Sequence, residues 1–334
     1  MPVTIKDIAK AAGVSHTTVS RALKGNPHIS SKTSARIQQL AQQMGYTPSA
    51  VAQSLLSQRT WTIGMVVTSI ADPFVAQVVE GVEHIAQAAG YSVFLSTCGN
   101  DPRREVAVVE TFQRRRVDAI IVTASRVGSV YSSQLNQIKV PIVLTNNQED
   151  GEYLYSVAVD DLQGARLAVE HLIALGHARI GYIGAVDRPK SNRQRLAGYR
   201  AALKRANIIL DPTLTLLPKA RNDFERGKDA LKSFLAAGVT AVFCYNDVIA
   251  IGLLTACREW SIFVPQELSI VGFDGIEAGL YVSPPLTTIC QPRLQLGQLA
   301  MAMALDLING QEVQDQVLAC ELIGRGSTAR ISKN

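Results

Sequence analysis

Polar side chains are concentrated in the segment SHTTVSR, from Ser15 to Arg21. Arg21 can form two hydrogen bonds to guanine N7 and O6, Thr17 offers a hydroxyl and a methyl group, and His16 can donate or accept. Directed hydrogen bonds and methyl contacts of this kind read base edges in the major groove of DNA. The segment is therefore a candidate for nucleic-acid recognition, provided that a helix presents it.

The apolar residues around the segment predict such a helix. Val19 and Leu23 fall on one helical face, and Ser15 is a natural N-cap residue. The polar side chains then lie on the remaining surface. A helix this short buries too little apolar surface to stand alone, so neighbouring helices must support it.

The flanking sequence supplies two such neighbours. One helix is predicted over 5–12, where Thr4 and Asp7 have capping-box spacing and Gly13 makes the turn that follows. Another is predicted over 31–44 and closes a three-helix core. The whole arrangement is a helix-turn-helix.

Positive charge is concentrated at the same end of the chain. Residues 1–60 contain seven Lys and Arg against one acidic residue, whereas the remaining 274 residues contain 26 against 27. A basic head on a near-neutral body is typical of a protein with one polyanion-binding end. A solvated basic helical face would explain the charge alone, but it does not explain the helix-turn-helix.

Two stretches, VTIKDIAKAAGVSHTTVSRAL at 3–23 and GYTPSAVAQSL at 45–55, resemble the DNA-binding head and hinge of the lactose-repressor (LacI/GalR) family of bacterial transcription regulators. The resemblance covers essentially the whole chain, with head, hinge and body in the family's order. It implies a DNA-binding head over 1–46, a hinge helix and linker over 47–60, and an effector-binding and dimerisation domain over 61–334.

The resemblance also implies roles in DNA binding. His16, Thr17 and Arg21 occupy base-reading positions of the family. Leu55 matches a hinge-helix leucine that wedges between central base pairs in the minor groove, and the residues alone leave a plain linker with a buried leucine as the alternative. Other polar residues are expected to be phosphate anchors or helix caps: Thr4, Ser15, Thr18, Ser20, Asn26 and Ser31.

From Trp61 onward, short apolar runs alternate with helical stretches in two series, which is typical of two doubly wound parallel sheets. Strands are predicted over 63–68, 91–96, 117–123, 140–145, 179–184, 214–218, 239–245 and 268–273. A last helix is predicted over 294–309 and a last strand over 317–322.

The predicted fold class is therefore an all-α helix-turn-helix head and hinge helix followed by an α/β body of two lobes, like a periplasmic binding protein. The resemblance implies that the chain crosses between the lobes three times. The first lobe would then comprise about 61–160 and 292–320, and the second about 161–291 and 321–334.

Ligands of open α/β sheets lie beyond the carboxyl ends of the strands, and two facing lobes form a cleft there. The stretches to examine are 68–74, 123–126, 187–195 and 246–247, together with Asp274 and Gln291. The resemblance implies effector contacts from Asp72, Phe74, Arg195, Phe224, Asn246, Asp274 and Gln291. Carboxylate, guanidinium and amide groups bind hydroxyls and an aromatic ring covers a C–H face, so this set favours a carbohydrate. Each polar residue can instead cap a turn, and each Phe can belong to the core.

Other effectors remain open. Basic residues crowd the segment after Gly184 and would suit a sugar acid or a sugar phosphate: Arg188, Lys190, Arg193 and Arg195. A solvated loop explains them equally well. Relatives leave a purine or a phosphorylated carrier protein as further alternatives.

Several function classes lack their motifs. The sequence contains no G-x-x-x-x-G-K-[ST], G-x-G-x-x-G, G-x-S-x-G or H-E-x-x-H, so we expect no enzyme and no cofactor. His171 and His177 fall on poorly matched helical faces, and we expect no metal site. No apolar run reaches the roughly 18 residues of a membrane span, and the first residues lack the apolar core of a secretory signal. We therefore expect a cytoplasmic protein rather than the solute-binding protein of a sugar transporter.

These observations predict a repressor of carbohydrate uptake or catabolism genes. It would bind a palindromic double-stranded DNA operator as a homodimer and respond to a small sugar-like effector in the cleft between the lobes. The sequence is consistent with induction or corepression by that effector.

Overall fold

Three helices form the first of two compact units in the computed structural model, which describes residues 3–47, 59–127, 140–148 and 155–331. They are α1 (Ile5–Ala12), α2 (His16–Leu23) and α3 (Ser31–Gln43). Gly13 ends α1 with a left-handed backbone, φ 65°, which glycine adopts without strain. Ile8, Val19 and Ile37 form the centre of the core that the three helices share.

The second unit, Trp61–Asn334, contains two six-stranded sheets. The first sheet consists of β1 (Thr62–Val67), β2 (Ser92–Thr97), β3 (Ala119–Thr123), β4 (Ile142–Thr145), β5 (Ser156–Val159) and β11 (Gln316–Leu318). Its order is β11-β5-β4-β3-β1-β2, with every pair parallel. The interior strands β3 and β4 are buried along their whole length, as expected for a parallel sheet covered on both faces.

The second sheet has the same plan with one reversed strand. It consists of β6 (Ile180–Ile183), β7 (Thr215–Leu216), β8 (Ala241–Cys244), β9 (Ser269–Asp274), β10 (Thr287–Cys290) and β12 (Glu321–Ile323). The order is β12-β10-β9-β8-β6-β7, and β12 runs antiparallel to β10.

Helices cover both sheets. Those that pack with the first sheet are α4 (Pro73–Ala88), α5 (Pro102–Arg114) and α11 (Arg293–Ile308). Those of the second lobe are α6 (Asp161–Ala174), α7 (Pro189–Arg205), α8 (Asp223–Ala236), α9 (Asp247–Glu259) and the short α10 (Ala278–Tyr281). A single 3₁₀ turn, Pro212–Leu214, precedes β7. The architecture confirms the predicted fold class.

The two lobes repeat one packing device. A Cβ added to Gly64 would lie 2.6 Å from the ring of Phe112 on α5, and one added to Gly181 would lie 2.6 Å from the ring of Phe234 on α8. Each Ile-Gly pair thus leaves room for a phenylalanine from the covering helix. This explains why the two series of strands echo each other in sequence.

The chain passes between the lobes three times, after β5, after β10 and after β11. The prediction of one continuous strand over 317–322 is wrong, because this stretch contains the end of β11 in one sheet and the start of β12 in the other. Cys320 interrupts it: its N–H donates to the side-chain oxygen of Gln163 on α6, 3.1 Å away, instead of to a neighbouring strand.

Among the described residues, no helix combines the length and the apolar character that crossing a bilayer requires.

Candidate functional site

The second helix of the head presents its polar residues to solvent. His16, Thr17 and Arg21 are exposed on α2, whereas Val19 and Ala22 are buried against the other two helices. The basic side chains of the described head residues 3–47 are all exposed: Lys6, Lys10, Arg21, Lys24, Lys32 and Arg36. The head therefore offers hydrogen-bonding groups and positive charge to an outside partner.

Part of the predicted phosphate-anchor set caps helices. The Thr18 N–H donates to Ser15 Oγ at 3.1 Å, and the two hydroxyls lie 2.9 Å apart. The hydroxyl and the N–H of Thr4 both donate to the Asp7 carboxylate, at 2.7 and 2.9 Å. These two bonds lower the pKa of Asp7. Thr4, Ser15 and Thr18 thus hold the ends of α1 and α2.

The remaining head residues are more available. Asn26 uses its side-chain oxygen to accept the His28 N–H at 2.9 Å, and Ser20 is half-buried on α2. Ser31 is exposed as the first residue of α3, and its neighbour Ser30 supplies the cap by accepting the Thr33 N–H at 3.2 Å. Leu55 lies outside the described residues.

The body contains a cleft at the carboxyl ends of strands from both sheets, with about 550 Å³ of space including its open mouth. This is within the range of small-molecule sites. Six of the seven predicted effector residues line it: Asp72, Phe74, Arg195, Asn246, Asp274 and Gln291. Phe224 is not among the lining residues of the described chain. Its carbonyl packs against Gly252 of α9, and its neighbour Asp223 faces the cleft instead.

Arg195 is the central cation of the lining. Its Nε donates to Asp161 Oδ1 at 2.8 Å, and its Nη1 donates to the Tyr245 carbonyl at 2.5 Å and lies 3.7 Å from Asp274 Oδ1. The guanidinium also stacks over the Phe273 ring at 3.7 Å. Burial alone would lower the pKa of Arg195, but Asp161, Tyr245 and Asp274 outweigh it and raise that pKa. Arg195 therefore remains charged and fixed in place.

Asp274 is held between Arg195 and the crossover after β10. The Gln291 side-chain amide donates to Asp274 Oδ1 at 2.6 Å. Burial raises the pKa of Asp274 well above its usual value, and Arg195 opposes that shift.

Three lining residues have positive backbone φ angles without being glycine. Asp274 has φ 112°, Ala124 has φ 54° and Asn146 has φ 45°. Such conformations cost on the order of 1–3 kcal/mol each and persist where the surroundings impose them, often at binding sites.

Hydrogen bonds join the two lobes across the cleft. Gln148, after β4 of the first lobe, accepts the hydroxyl of Ser191 on α7 at 3.0 Å. The Ser191 hydroxyl also lies 2.7 Å from the Tyr245 hydroxyl. Asn146 donates to the side-chain oxygen of Gln291 at 3.5 Å. A ligand between the lobes would be enclosed by these contacts.

Two predicted residues combine capping with a position in the cleft. Asn246 caps α9 by accepting the Ile249 N–H at 2.9 Å, and its amide donates to Asp223 Oδ2 at 2.6 Å. Asp72 caps α4 by accepting the Phe74 N–H at 3.0 Å. Burial raises the pKa of Asp72, although Phe74 and Arg188 act in the opposite direction.

The lining as a whole contains more carboxylates than guanidinium groups. The carboxylates belong to Asp72, Asp161, Asp223 and Asp274, and the guanidinium groups to Arg188 and Arg195. Lys190 and Arg193, which the sequence placed in one basic cluster with them, are not among the described lining residues. Within the described residues, no three His, Cys, Asp or Glu side chains are arranged to hold a metal ion.

Sequence reasoning did not single out five lining residues: Asn146, Gln148, Asp161, Asp223 and Tyr245. Asn146 and Gln148 follow the predicted strand over 140–145, so the rule of reading past strand ends would have found them. Asp161 follows β5, which was not predicted. Asp223 begins a helix, and no local signal separates it from an ordinary first-turn acid.

Comparisons with known proteins extend over head and body. Residues 4–49 match the sequence family described as "Bacterial regulatory proteins, lacI family", and residues 169–328 match "Periplasmic binding protein-like domain". The HTH-type transcriptional repressor CytR of Escherichia coli (strain K12) is 36% identical over 331 residues, covering 97% of this chain and 96% of that protein. The ribose operon repressor of Haemophilus influenzae is 35% identical over 321 residues, covering 95% and 96%.

A solved structure shows the same arrangement of elements. The lac repressor dimer bound to operator and the anti-inducer ONPF superposes with a TM-score of 0.89 at 30% identity, over 98% of this chain and all of that one.

Proposed function

Because this chain belongs to the lacI family of bacterial regulatory proteins, we propose that it is a homodimeric repressor whose operator affinity is set by a neutral, hydroxyl-rich effector in the cleft. Its relatives are DNA-binding transcriptional repressors and not enzymes, and this chain is a transcriptional regulator of that class. Operator binding would take place in the cytoplasm. Genes for carbohydrate uptake or use are the proposed targets, in keeping with the ribose operon repressor among the relatives.

The single observation that carries the effector proposal is the charge balance of the lining. Four carboxylates face two guanidinium groups, and Arg195 is already engaged by Asp161 and Asp274. An anionic effector would bring a further negative charge beside Asp72 and Asp274, where burial already disfavours the charged state. A neutral sugar avoids this repulsion, and its hydroxyls can donate to the carboxylates. Sugar acids and sugar phosphates therefore fit this cleft less well.

DNA binding would use the exposed surface of α2. His16, Thr17 and Arg21 are proposed to read base edges, and Ser20 and Ser31 to contact phosphates. Thr4, Ser15, Thr18 and Asn26 would act chiefly by fixing the helix ends on which those contacts depend. Leu55 is proposed, from the family resemblance alone, as the minor-groove wedge.

The edge strand β2 is a candidate part of the dimer interface. Phe94 and Leu95 on this strand are 48% and 38% exposed, and the strand SVFLST carries no charged residue. Uncovered edge strands usually carry charges that prevent pairing with other chains. A second copy of the chain, as in the similar lac repressor dimer, would cover this edge.

A thermal-shift comparison tests the effector proposal. The purified chain is heated with D-ribose, cellobiose, adenosine, D-gluconate or D-ribose 5-phosphate. Trp61 and Trp260, the two tryptophans of the chain, both lie in the body and report its unfolding. A ligand at 100 times its Kd stabilises the folded state by about 2.7 kcal/mol, which raises the melting temperature by several degrees.

We expect a neutral probe to raise the melting temperature and Asp274→Asn to abolish that rise. A rise given only by gluconate or the phosphate would contradict a neutral effector. No rise with any probe would contradict a small-molecule effector of this class.

A further inference from the structure

Arg188 reaches from the second lobe to the first. It is the residue before α7, and its Nη2 donates to Thr68 Oγ1 of the first lobe at 3.5 Å. The same nitrogen lies 3.9 Å from Asp72 Oδ2, also in the first lobe. All three side chains line the cleft.

The other terminal nitrogen of Arg188 is a buried donor. Nη1 is closed to solvent and has no hydrogen-bond partner among the described residues. The hydroxyl of Thr123, a residue that is 2% exposed, is in the same condition and lines the same cleft. A buried polar group without a partner costs about 1–3 kcal/mol, so two such groups in one cleft wall point to a ligand that satisfies them.

The spacing of Arg188 and Asp72 leaves room for ligand atoms. A direct hydrogen bond between them would require about 2.7–3.2 Å, whereas the nearest nitrogen and oxygen are 3.9 Å apart. One Asp72 oxygen is occupied by the Phe74 N–H, and the other faces Arg188. The two lobes thus present a donor and an acceptor side by side.

Arg195 cannot supply this donor. Its Nε is occupied by Asp161, and its Nη1 by the Tyr245 carbonyl. Arg188 carries no comparable close ion pair within the described residues. The two lining guanidinium groups therefore have different jobs, one holding the wall of the cleft and one facing its contents.

We propose that Arg188 is a specificity-determining residue of the effector site. Its guanidinium donates to one oxygen of the effector while Asp72 of the opposite lobe accepts from a neighbouring hydroxyl of the same molecule. The chemical class that fits is a neutral ligand with two adjacent hydroxyls, such as a sugar or a ribose-bearing metabolite. Because the pair spans both lobes, binding the diol also draws the lobes together. The inference rests on the proposed function of this cleft.

Calorimetric titrations of the full-length chain test the role of Arg188. The probes are D-ribose, cellobiose and adenosine, with 2-deoxy-D-ribose and 2′-deoxyadenosine as analogues that lack one of the adjacent hydroxyls. The proteins are wild type, Arg188→Met, Arg188→Lys, Asp274→Asn and the control Arg193→Met, a change in the same segment outside the lining. Circular dichroism at the titration temperature establishes that each variant is folded.

We expect at least one of the three diol probes to bind wild type, and Arg188→Met to weaken it about ten-fold or more. Arg188→Lys should recover part of that loss, because it keeps the charge without the fork. Arg193→Met should stay within two-fold. The deoxy analogue should bind wild type more weakly than its parent, and Arg188→Met should reduce that difference.

Each other outcome has a distinct meaning. If a probe binds and Asp274→Asn weakens it while Arg188→Met does not, the role of Arg188 is overturned and the proposed function stands. Equal binding of parent and deoxy analogue to wild type would overturn recognition of the diol by this pair. If no probe binds wild type, the proposed function fails and the role of Arg188 fails with it.

Discussion

The hydrogen bonds of the head and those of the cleft differ in how far they reach along the chain. Ser15 and Thr4 bond to residues three positions away. Arg195 bonds to Asp161, 34 residues away, and the bond from Asn146 to Gln291 joins residues 145 apart. The head residues proposed to read bases are exposed, whereas most of the polar cleft residues are buried.

This difference separates two ways of building a site. The recognition surface of the head is a short helix with local caps, so changing an exposed side chain should alter binding and leave the fold intact. The cleft is assembled from both lobes and from their crossovers, and its charges also hold those elements together. A change there should affect binding and stability at once.

The largest effect is expected from Arg195→Ala. This change leaves the carboxylates of Asp161 and Asp274 buried without their partner, which typically costs about 3–5 kcal/mol. Denaturant unfolding followed by tryptophan fluorescence should show the body transition at a clearly lower concentration. Arg193→Ala, nearby on α7, serves as the control. An unchanged transition in Arg195→Ala would mean that the cleft does not support the fold of the body.

A second test uses Asp247, which is buried beneath backbone and side-chain donors. It accepts the Ile276 N–H at 2.7 Å and the Thr288 hydroxyl at 2.5 Å, and burial raises its pKa to about 7. A carboxyl with a raised pKa binds its proton more tightly in the folded state, so it destabilises the fold as pH rises from about 4 to about 7.

The free energy of unfolding of wild type, measured relative to Asp247→Asn, should therefore fall between pH 5 and pH 8. The size of the fall is about 3 kcal/mol, from roughly 1.4 kcal/mol per pH unit up to the folded pKa. Comparing the two proteins at each pH cancels the titration of His171, His177 and the other acids. A difference that stays constant, or rises with pH, would contradict the assignment.

A smaller, local effect is expected from Ser15→Ala in the head. Loss of an N-cap hydroxyl costs about 1 kcal/mol. Hydrogen exchange read by mass spectrometry should speed up in peptides from α1 to α3 and remain unchanged in peptides from the body. Ser31→Ala is the matched control, because Ser30 and not Ser31 caps α3. Equal acceleration in both variants would remove the special role of Ser15.

The smallest effect on stability is expected from Arg21→Ala, because the side chain is exposed. The free energy of unfolding should change by less than about 0.5 kcal/mol. Base preference should relax at one position of each half-site, by about 1–3 kcal/mol, when duplexes are selected from a random pool. Retained preference at every position would show that another residue reads that base.

The head could be predicted from sequence nearly in full because its signals are local. The cap at Ser15, the turn at Gly13 and the three apolar faces are spaced within a few residues. The strands of the body could also be predicted wherever long apolar runs mark them. The short strands β5 and β10 were missed, because SVAV and TTIC become strands through pairing with distant neighbours.

The cleft was only partly predictable for the same reason. Asp274 and Asn246 directly follow buried strands, so the strand-end rule selects them. Asp161 and Asp223 face the cleft because of how α6 and α8 pack, which no spacing in the sequence records. Phe224 shows the converse, since an aromatic residue at a matching position is turned toward α9 by close helix packing. The binding role of each of these residues stays a prediction.

The central claim is that the cleft controls the head. The most direct measurement is the Kd of the full-length chain for a fluorescent duplex selected from a random pool, by anisotropy, with and without a saturating concentration of the probe that raises the melting temperature. Coupling between two sites typically changes affinity about five-fold or more, in either direction. The account predicts such a change in wild type and its loss in Arg188→Met at the same probe concentration. An unchanged Kd in wild type, with the cleft saturated, would contradict it.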